Sequence, residues 1–154
     1  MAKEIERKFL VQGDAWRTLA EGRYYCQGYI PTQGKQTVRA RIIDDRGYLT
    51  LKGPAQGISR SEFEYEIPKA DAQAILTELC QQPLIEKHRY KIPMGAVVWE
   101  VDEFLGENQG LVVAEVELSH VDQKIERPLW IATEVTGDPR YYNANLVKYP
   151  FKDW

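Results

Sequence analysis

With 154 residues, 44% of them hydrophobic and 28% charged, the chain is sized for a single soluble domain spanning residues 1–154 with a core of its own. A formal net charge of −3 excludes a global attraction to nucleic acid or to an anionic membrane surface, so an anionic ligand has to be met by a local cluster of bases. Cys26 and Cys80 are too few for a disulfide framework and read as buried free thiols; with neither a signal-peptide pattern nor an apolar run of membrane-spanning length, the expected location is the cytoplasm.

The first strand is expected from Glu4 to about Val11, with Glu4, Glu6 and Lys8 on one face and Ile5 and Phe9 on the other. Asp14 then suits the N-cap of a short helix through Ala20, whose Trp16 and Leu19 would cover apolar surface. Tyr24 to Ile30 and Gln36 to Ile43 read as strands around Pro31-Thr32-Gln33-Gly34, and Asp44-Asp45-Arg46-Gly47 turns the chain into a strand from Tyr48 to Lys52. After the Gly53 to Gly57 loop, Arg60 to Ile67 forms the next strand. A helix is predicted over 70–81, with Ala72, Ile75, Leu76 and Leu79 at helical spacing. Leu84 to Ile92, Ala96 to Phe104 and Leu111 to Leu118 complete eight strands, and a third amphipathic helix is expected over 138–148.

Eight antiparallel strands of this length can close into a barrel. One parity carries Glu4, Glu6, Lys8, Arg39, Arg41, Lys52, Arg60, Glu62, Glu64, Glu66, Lys87, Arg89, Glu100, Asp102, Glu115 and Glu117, while the other is dominated by Ile, Val, Leu, Ala and aromatic residues. Two arrangements satisfy this alternation. In one, an apolar centre is surrounded by a solvated charged face. In the other, the charged face lines a tunnel and the apolar face packs outward beneath helices. The pairs Arg39–Arg41 and Lys87–Arg89 favour the tunnel, because neighbouring like charges in a sheet require something of opposite sign between them.

Six bases (Lys8, Arg39, Arg41, Lys52, Lys87, Arg89) against eight acids (Glu4, Glu6, Glu62, Glu64, Glu100, Asp102, Glu115, Glu117) leave the lining at −2. Enclosed charges need partners. Guanidinium pairs suit phosphate oxygens, and carboxylates suit Mg²⁺ or Mn²⁺, so a polyphosphate bridged by divalent cations would satisfy both halves. His88 and His120 fall in no metal or nucleophile pattern, and neither a phosphate-cradling glycine loop nor a nucleophile elbow occurs.

Glu4-Ile5-Glu6-Arg7-Lys8 resembles the N-terminal Glu-x-Glu-x-Lys signature of CYTH domain proteins, the triphosphate tunnel metalloenzymes. The similarity continues through Val38-Arg39-Ala40-Arg41, Leu49 to Gly53, Glu62-Phe63-Glu64, Lys87 to Tyr90, Glu100 to Phe104, Ala114 to Glu117 and Val135 to Asp138. What the resemblance implies is a mainly β, α+β fold: an eight-stranded antiparallel closed barrel with a charged interior, covered by a few helices. It also implies metal-dependent hydrolysis of inorganic triphosphate to pyrophosphate and phosphate. Carried over by position, Lys8, Arg39, Arg41, Lys52, Lys87 and Arg89 would bind phosphate oxygens, and Glu4, Glu6, Glu62, Glu64, Asp102, Glu115 and Glu117 would lie on the metal side. Lys87, Arg41 and Tyr29 are the expected catalytic set, with Tyr141 and Tyr142 as further ordering residues. The same fold is implicated in thiamine triphosphate and nucleotide hydrolysis and in adenylate cyclisation; a non-catalytic polyphosphate or nucleotide sensor and a ligand-free structural domain are the other readings. The expected partner is a triphosphate-containing small molecule, with no nucleic acid or membrane, and exposed outer aromatics would suit a homodimer.

Overall fold

The computed structural model describes residues 3–154. Period-two alternation becomes strand pairing almost throughout: β1 (Lys3–Val11), β2 (Gly22–Ile30), β3 (Thr37–Ile43), β4 (Arg46–Lys52) and β5 (Ser59–Ile67) precede helix α1 (Lys69–Glu78). β6 (Ile85–Met94), β7 (Val97–Phe104), β8 (Val112–Glu117), β9 (Ile131–Glu134) and helix α2 (Asn143–Lys148) follow. The order β5-β4-β3-β2-β6-β7-β8-β1 is antiparallel at every step and closes where β1 pairs with β5, through Glu4 opposite Arg60. An eight-stranded closed barrel results. β9 takes the edge of β1 beyond β5, opposite Phe9 and Val11, and so stands outside the ring.

The outward rows carry most of the hydrophobic burial. Phe9, Trp99, Val101, Ala114 and Val116 are buried on the outside of β1, β7 and β8 beneath Trp16, Leu118, Trp130 and Ile131. Full burial of one such side chain contributes about 1.5–3 kcal/mol. On the far side, α1 places Leu76 over Ala40, and Gly47 permits the approach, since a Cβ there would lie 2.6 Å from that of Ala72. A third cluster is built differently: Ile85, Phe104 and Val113 share the parity of the lumen charges and pack against Tyr141, Leu146 and Val147. The C-terminal segment therefore lies across one end of the barrel.

Several expectations change at this level. The segment after Asp14 is a 3-10 turn, Ala15–Thr18, in which Asp14 makes no side-chain cap but pairs with Arg17; Trp16 is buried, whereas Leu19 is exposed. Helix α1 stops at Glu78, leaving Leu79 in solvent. Residues 138–148 divide into the turn Pro139–Tyr141 and α2, and cover an end of the barrel instead of a flank. Leu51, Phe63 and Tyr65 point outward and are exposed, with no helix over them among the described residues. Both cysteines are free, Cys80 buried and Cys26 half-buried. Among the described residues no helix is long and apolar enough to cross a membrane.

Candidate active site

Because inward positions recur at every second residue, the register brings the ionisable residues of seven strands around one lumen. Lys8 stands opposite Glu115, Glu6 opposite Glu117, Lys52 opposite Glu62, Arg89 opposite Asp102 and Glu100 opposite Glu115. The lumen is a cavity of about 860 Å³ reached by Glu4, Glu6, Lys8, Tyr29, Arg39, Arg41, Lys52, Glu62, Glu64, Lys87, Arg89, Glu115 and Glu117. The inside-out arrangement is thus the one adopted.

The charges are segregated by strand. β3 and β6 supply a basic wall, where Arg41 and Arg89 lie over the Tyr25 ring at 5.2 and 5.1 Å and Arg39 lies beside them. Arg39, Arg41 and Arg89 are each at least 91% buried. Arg39 and Arg41 share one carboxylate oxygen of Glu64, at 3.2 and 3.3 Å, and the Nε atoms of both have no partner among the described residues. Burial and the adjacent Arg39 and Arg89 charges pull the Arg41 guanidinium down to about 10. Within this wall Arg89 is answered by Asp102, Glu100 and Glu115, whereas among the described residues Arg39 and Arg41 have one carboxylate, Glu64, between them.

β1 and β8 form the acidic wall. Burial, reinforced by Glu115 and Glu4, raises the Glu6 carboxyl well above the carboxylate range, and burial with Glu4 and Glu62 raises Glu117. Neither makes an ion pair among the described residues. Glu4 and Glu115 differ: burial alone would raise both, but Lys52 at 3.0 Å lowers Glu4, and Lys8 at 3.5 Å with Arg89 at 3.6 Å lowers Glu115. Glu62 and Glu64 are engaged with Lys52 and with the Arg39–Arg41 pair.

Asp102 occupies a different place from that expected of a metal ligand. It is 1% exposed and does not reach the cavity; Oδ1 accepts from Arg89 Nε (2.7 Å), and Oδ2 accepts from Arg89 Nη2 and Lys87 Nζ (both 2.8 Å). Both oxygens are committed to holding the two bases. Lys87 is itself 1% exposed, and burial, outweighing the attraction of Asp102, brings its amine down to about 7. Tyr29, half-buried, places its hydroxyl beside the Gln27 amide, 2.8 Å away. Among the other residues singled out on this parity, Glu100 pairs with Arg89 and Glu66 with Arg46, while Arg60 joins Thr37 at the cavity rim. Tyr141 is core, and Tyr142 lies 5.5 Å beneath the Lys8 ammonium.

Two residues that reach the site were not signalled by charge. Gln27 is uncharged, and Asn143 comes from the C-terminal segment; the Asn143 Oδ1 accepts from Lys87 Nζ at 2.9 Å and from Gln27 Nε2 at 3.2 Å. Glutamine at an inward β2 position between two tyrosines was a usable signal. No comparable signal marks Asn143.

The carboxylates suit a hard divalent cation by donor type. Among the described residues no group of three His, Cys, Asp or Glu is drawn together tightly enough to hold an ion alone. Mg²⁺ usually takes one or two carboxylates and completes its shell with water and substrate phosphate, so Glu6 and Glu117, facing each other without a cation, fit that demand.

The CYTH domain family model matches residues 2–145. An inorganic triphosphatase from Acetivibrio thermocellus is 56% identical over 154 residues, covering 100% of this chain and 99% of the relative. The crystal structure of another inorganic triphosphatase superposes with a TM-score of 0.64 at 30% identity, over 96% of this chain and 95% of that one. A putative adenylate cyclase from Bacillus halodurans shares the fold, with a TM-score of 0.64 at 18% identity over 79% of this chain and 84% of its own. A closed barrel with an ionised lumen, matched along nearly its whole length, places this chain in the CYTH domain family.

Proposed function

We propose that the protein hydrolyses inorganic triphosphate to pyrophosphate and phosphate with the help of Mg²⁺ or Mn²⁺. The observation that carries this reading is the Arg39–Arg41–Arg89 cluster, buried, mutually repelling and with two unpartnered Nε atoms, facing carboxylates across one lumen. A chain of three phosphates bearing about five negative charges answers the guanidiniums through bidentate contacts. The relative from Acetivibrio thermocellus, named for this activity, supports the choice of substrate.

In the reaction a water oxygen attacks a terminal phosphorus in line with the bridging oxygen. The P–O bond to that oxygen breaks, its electron pair stays on the departing pyrophosphate, and one water proton is released. Arg39, Arg41, Arg89, Lys8 and Lys52 hold the non-bridging oxygens and offset charge on the leaving group. Lys87, buried and near 7, is matched to receiving the water proton at Nζ, and the Tyr29 hydroxyl orients that water. Asp102 fixes Lys87 and Arg89 in place. Glu6 and Glu117, flanked by Glu4 and Glu115, would hold the divalent cation, which when bound supplies neutralisation of the phosphate oxygens.

Phosphate release is to be measured with triphosphate, thiamine triphosphate, ATP and longer polyphosphate, each with Mg²⁺ and Mn²⁺. The reading expects triphosphate to give the highest kcat/KM. Tight triphosphate binding without turnover under every condition would make the chain a binding module, and a preference for ATP would make it a nucleotide enzyme.

A further inference from the structure

Asparagine at the start of a helix ordinarily caps it or bonds to its own backbone. Asn143, the first residue of α2, does neither: its Oδ1 reaches Lys87 Nζ, 56 residues away in sequence, at 2.9 Å. The same oxygen accepts from Gln27 Nε2 at 3.2 Å, and Gln27 Nε2 also donates to the Tyr29 hydroxyl at 2.8 Å. A continuous chain therefore runs Lys87–Asn143–Gln27–Tyr29, linking the two lumen groups assigned to the attacking water.

Gln27 makes the arrangement hard to explain as packing. It is completely buried at the boundary between the charged lumen and the apolar end cap, opposite Arg41 on one side and Ile85 on the other. Its Oε1 has no partner among the described residues. An amide acceptor buried unsatisfied costs about 1–3 kcal/mol, and leucine would fill similar space beside Ile85 without that cost. The C-terminal segment is attached to the site a second time through Lys8, whose Nζ donates to the Tyr141 carbonyl at 3.3 Å.

We propose that Asn143 and Gln27 are positioning residues of the hydrolytic site. Asn143 aims the Lys87 amine, Gln27 aims the Tyr29 hydroxyl, and the contact between their amides sets the two groups at one spacing before the scissile phosphate. On this account the C-terminal segment is part of the catalytic apparatus and not merely a lid over apolar side chains. The proposal rests on the reading that Lys87 and Tyr29 act on a bound triphosphate.

The test uses the full chain with triphosphate and Mg²⁺, comparing wild type, Asn143→Leu, Gln27→Leu, Lys87→Met, Tyr29→Phe and the double variants Asn143→Leu/Lys87→Met and Gln27→Leu/Tyr29→Phe. Misplacing a reacting group by about an ångström costs on the order of 100-fold, so each single amide variant is expected to lose about that in kcat. KM should stay within about 3-fold, because the arginines that grip the chain are untouched. In each double variant, removing the amide is expected to cost little beyond the loss of its partner; a purely structural role would give losses that multiply. Should Asn143→Leu fail to fold, Asn143→Ala removes the acceptor without adding apolar bulk and gives the same reading. Wild type that does not hydrolyse triphosphate removes the functional reading and this inference with it. Active wild type with single variants within about 3-fold in kcat, or with multiplying losses in the double variants, overturns the inference alone.

Discussion

Asp102 separates two accounts of the lumen, and Asp102→Asn tests them without leaving a cavity. Its carboxylate is 1% exposed and accepts three hydrogen bonds from two buried cations, so neutralising it removes the principal counter-charge of both. Breaking a buried pair from one side costs about 3–5 kcal/mol. Two features place the effect at the lower end. Arg89 keeps Glu100 at 3.2 Å and Glu115 at 3.6 Å, and Lys87, already near 7, can shed its proton. A loss of about 3 kcal/mol, at roughly 2–4 °C per kcal/mol for a chain of this size, lowers Tm by about 6–12 °C. Thermal unfolding in chelator at pH 8 is the assay, since no divalent ion then contributes. A Tm within about 2 °C of wild type, with the damage confined to the dependence of rate on metal concentration, would refute the counter-ion role and make Asp102 a metal ligand.

Arg41→Ala is expected to reduce kcat/KM at least about 100-fold, as removal of a donor to developing phosphate charge does, while Tm falls by no more than about 2 °C, because the substitution relieves repulsion from Arg39 and Arg89; steady-state kinetics and thermal unfolding read the two. With the free amine of Lys87 as the proton acceptor, kcat/KM should rise about tenfold per pH unit below 7 and level off above it, a limb that Lys87→Arg, which stays protonated, should abolish. Arg7 clamps β1 to β9 through Glu134 at 2.7 Å and, with Thr136, holds that carboxyl down at about 2. Allowing for the partial exposure of the pair, Arg7→Ala should cost about 1 kcal/mol in urea unfolding at pH 7. Because the folded-state carboxyl titrates below its unfolded value, this difference is full above about pH 4.5 and should shrink by more than half by pH 3.

The barrel was legible because its lumen is written at period two. Glu4-x-Glu6-x-Lys8 and Arg39-x-Arg41 can hold their charges on one side of a strand only as strands, and cross-strand pairing then fixes which walls meet. Parity states which face a side chain leaves from, not how far it travels, and so it grouped Asp102 with Glu115. Only the register of Asp102 beside Arg89 and the reach of Lys87 show that one carboxylate is consumed by the bases while the other reaches the cavity. β9 is four residues long and held by long-range pairing to β1, too short for periodicity to reveal. Asn143 was missed for a related reason: its role comes from contacts spanning 56 and 116 residues, and a neutral amide near the end of the chain carries no pattern, whereas Gln27, between Tyr25 and Tyr29 on one face of β2, left a signal that a search for charge passes over.

The segregation of charge between walls yields a further expectation about how ligands act together. The arginines of β3 and β6 repel one another, as do Glu6 with Glu115 and Glu117 with Glu4 across β1 and β8, and the strands hold each set in place. An anion entering alone relieves the first repulsion but meets the second set of charges; a divalent cation alone relieves the second and meets the first. Bound together, each is the other's counter-charge as well as the wall's, so triphosphate and Mg²⁺ should stabilise the fold by more than their separate effects, with a coupling of about 1–3 kcal/mol. At roughly 2–4 °C per kcal/mol this is an excess of about 2–12 °C in Tm. The measurement is Tm with each ligand singly and together at matched free concentrations, using Lys87→Met so that the triphosphate survives the scan. Strictly additive shifts would mean that the two walls do not share a ligand, and the lumen would then be two independent ion sites enclosed by one barrel.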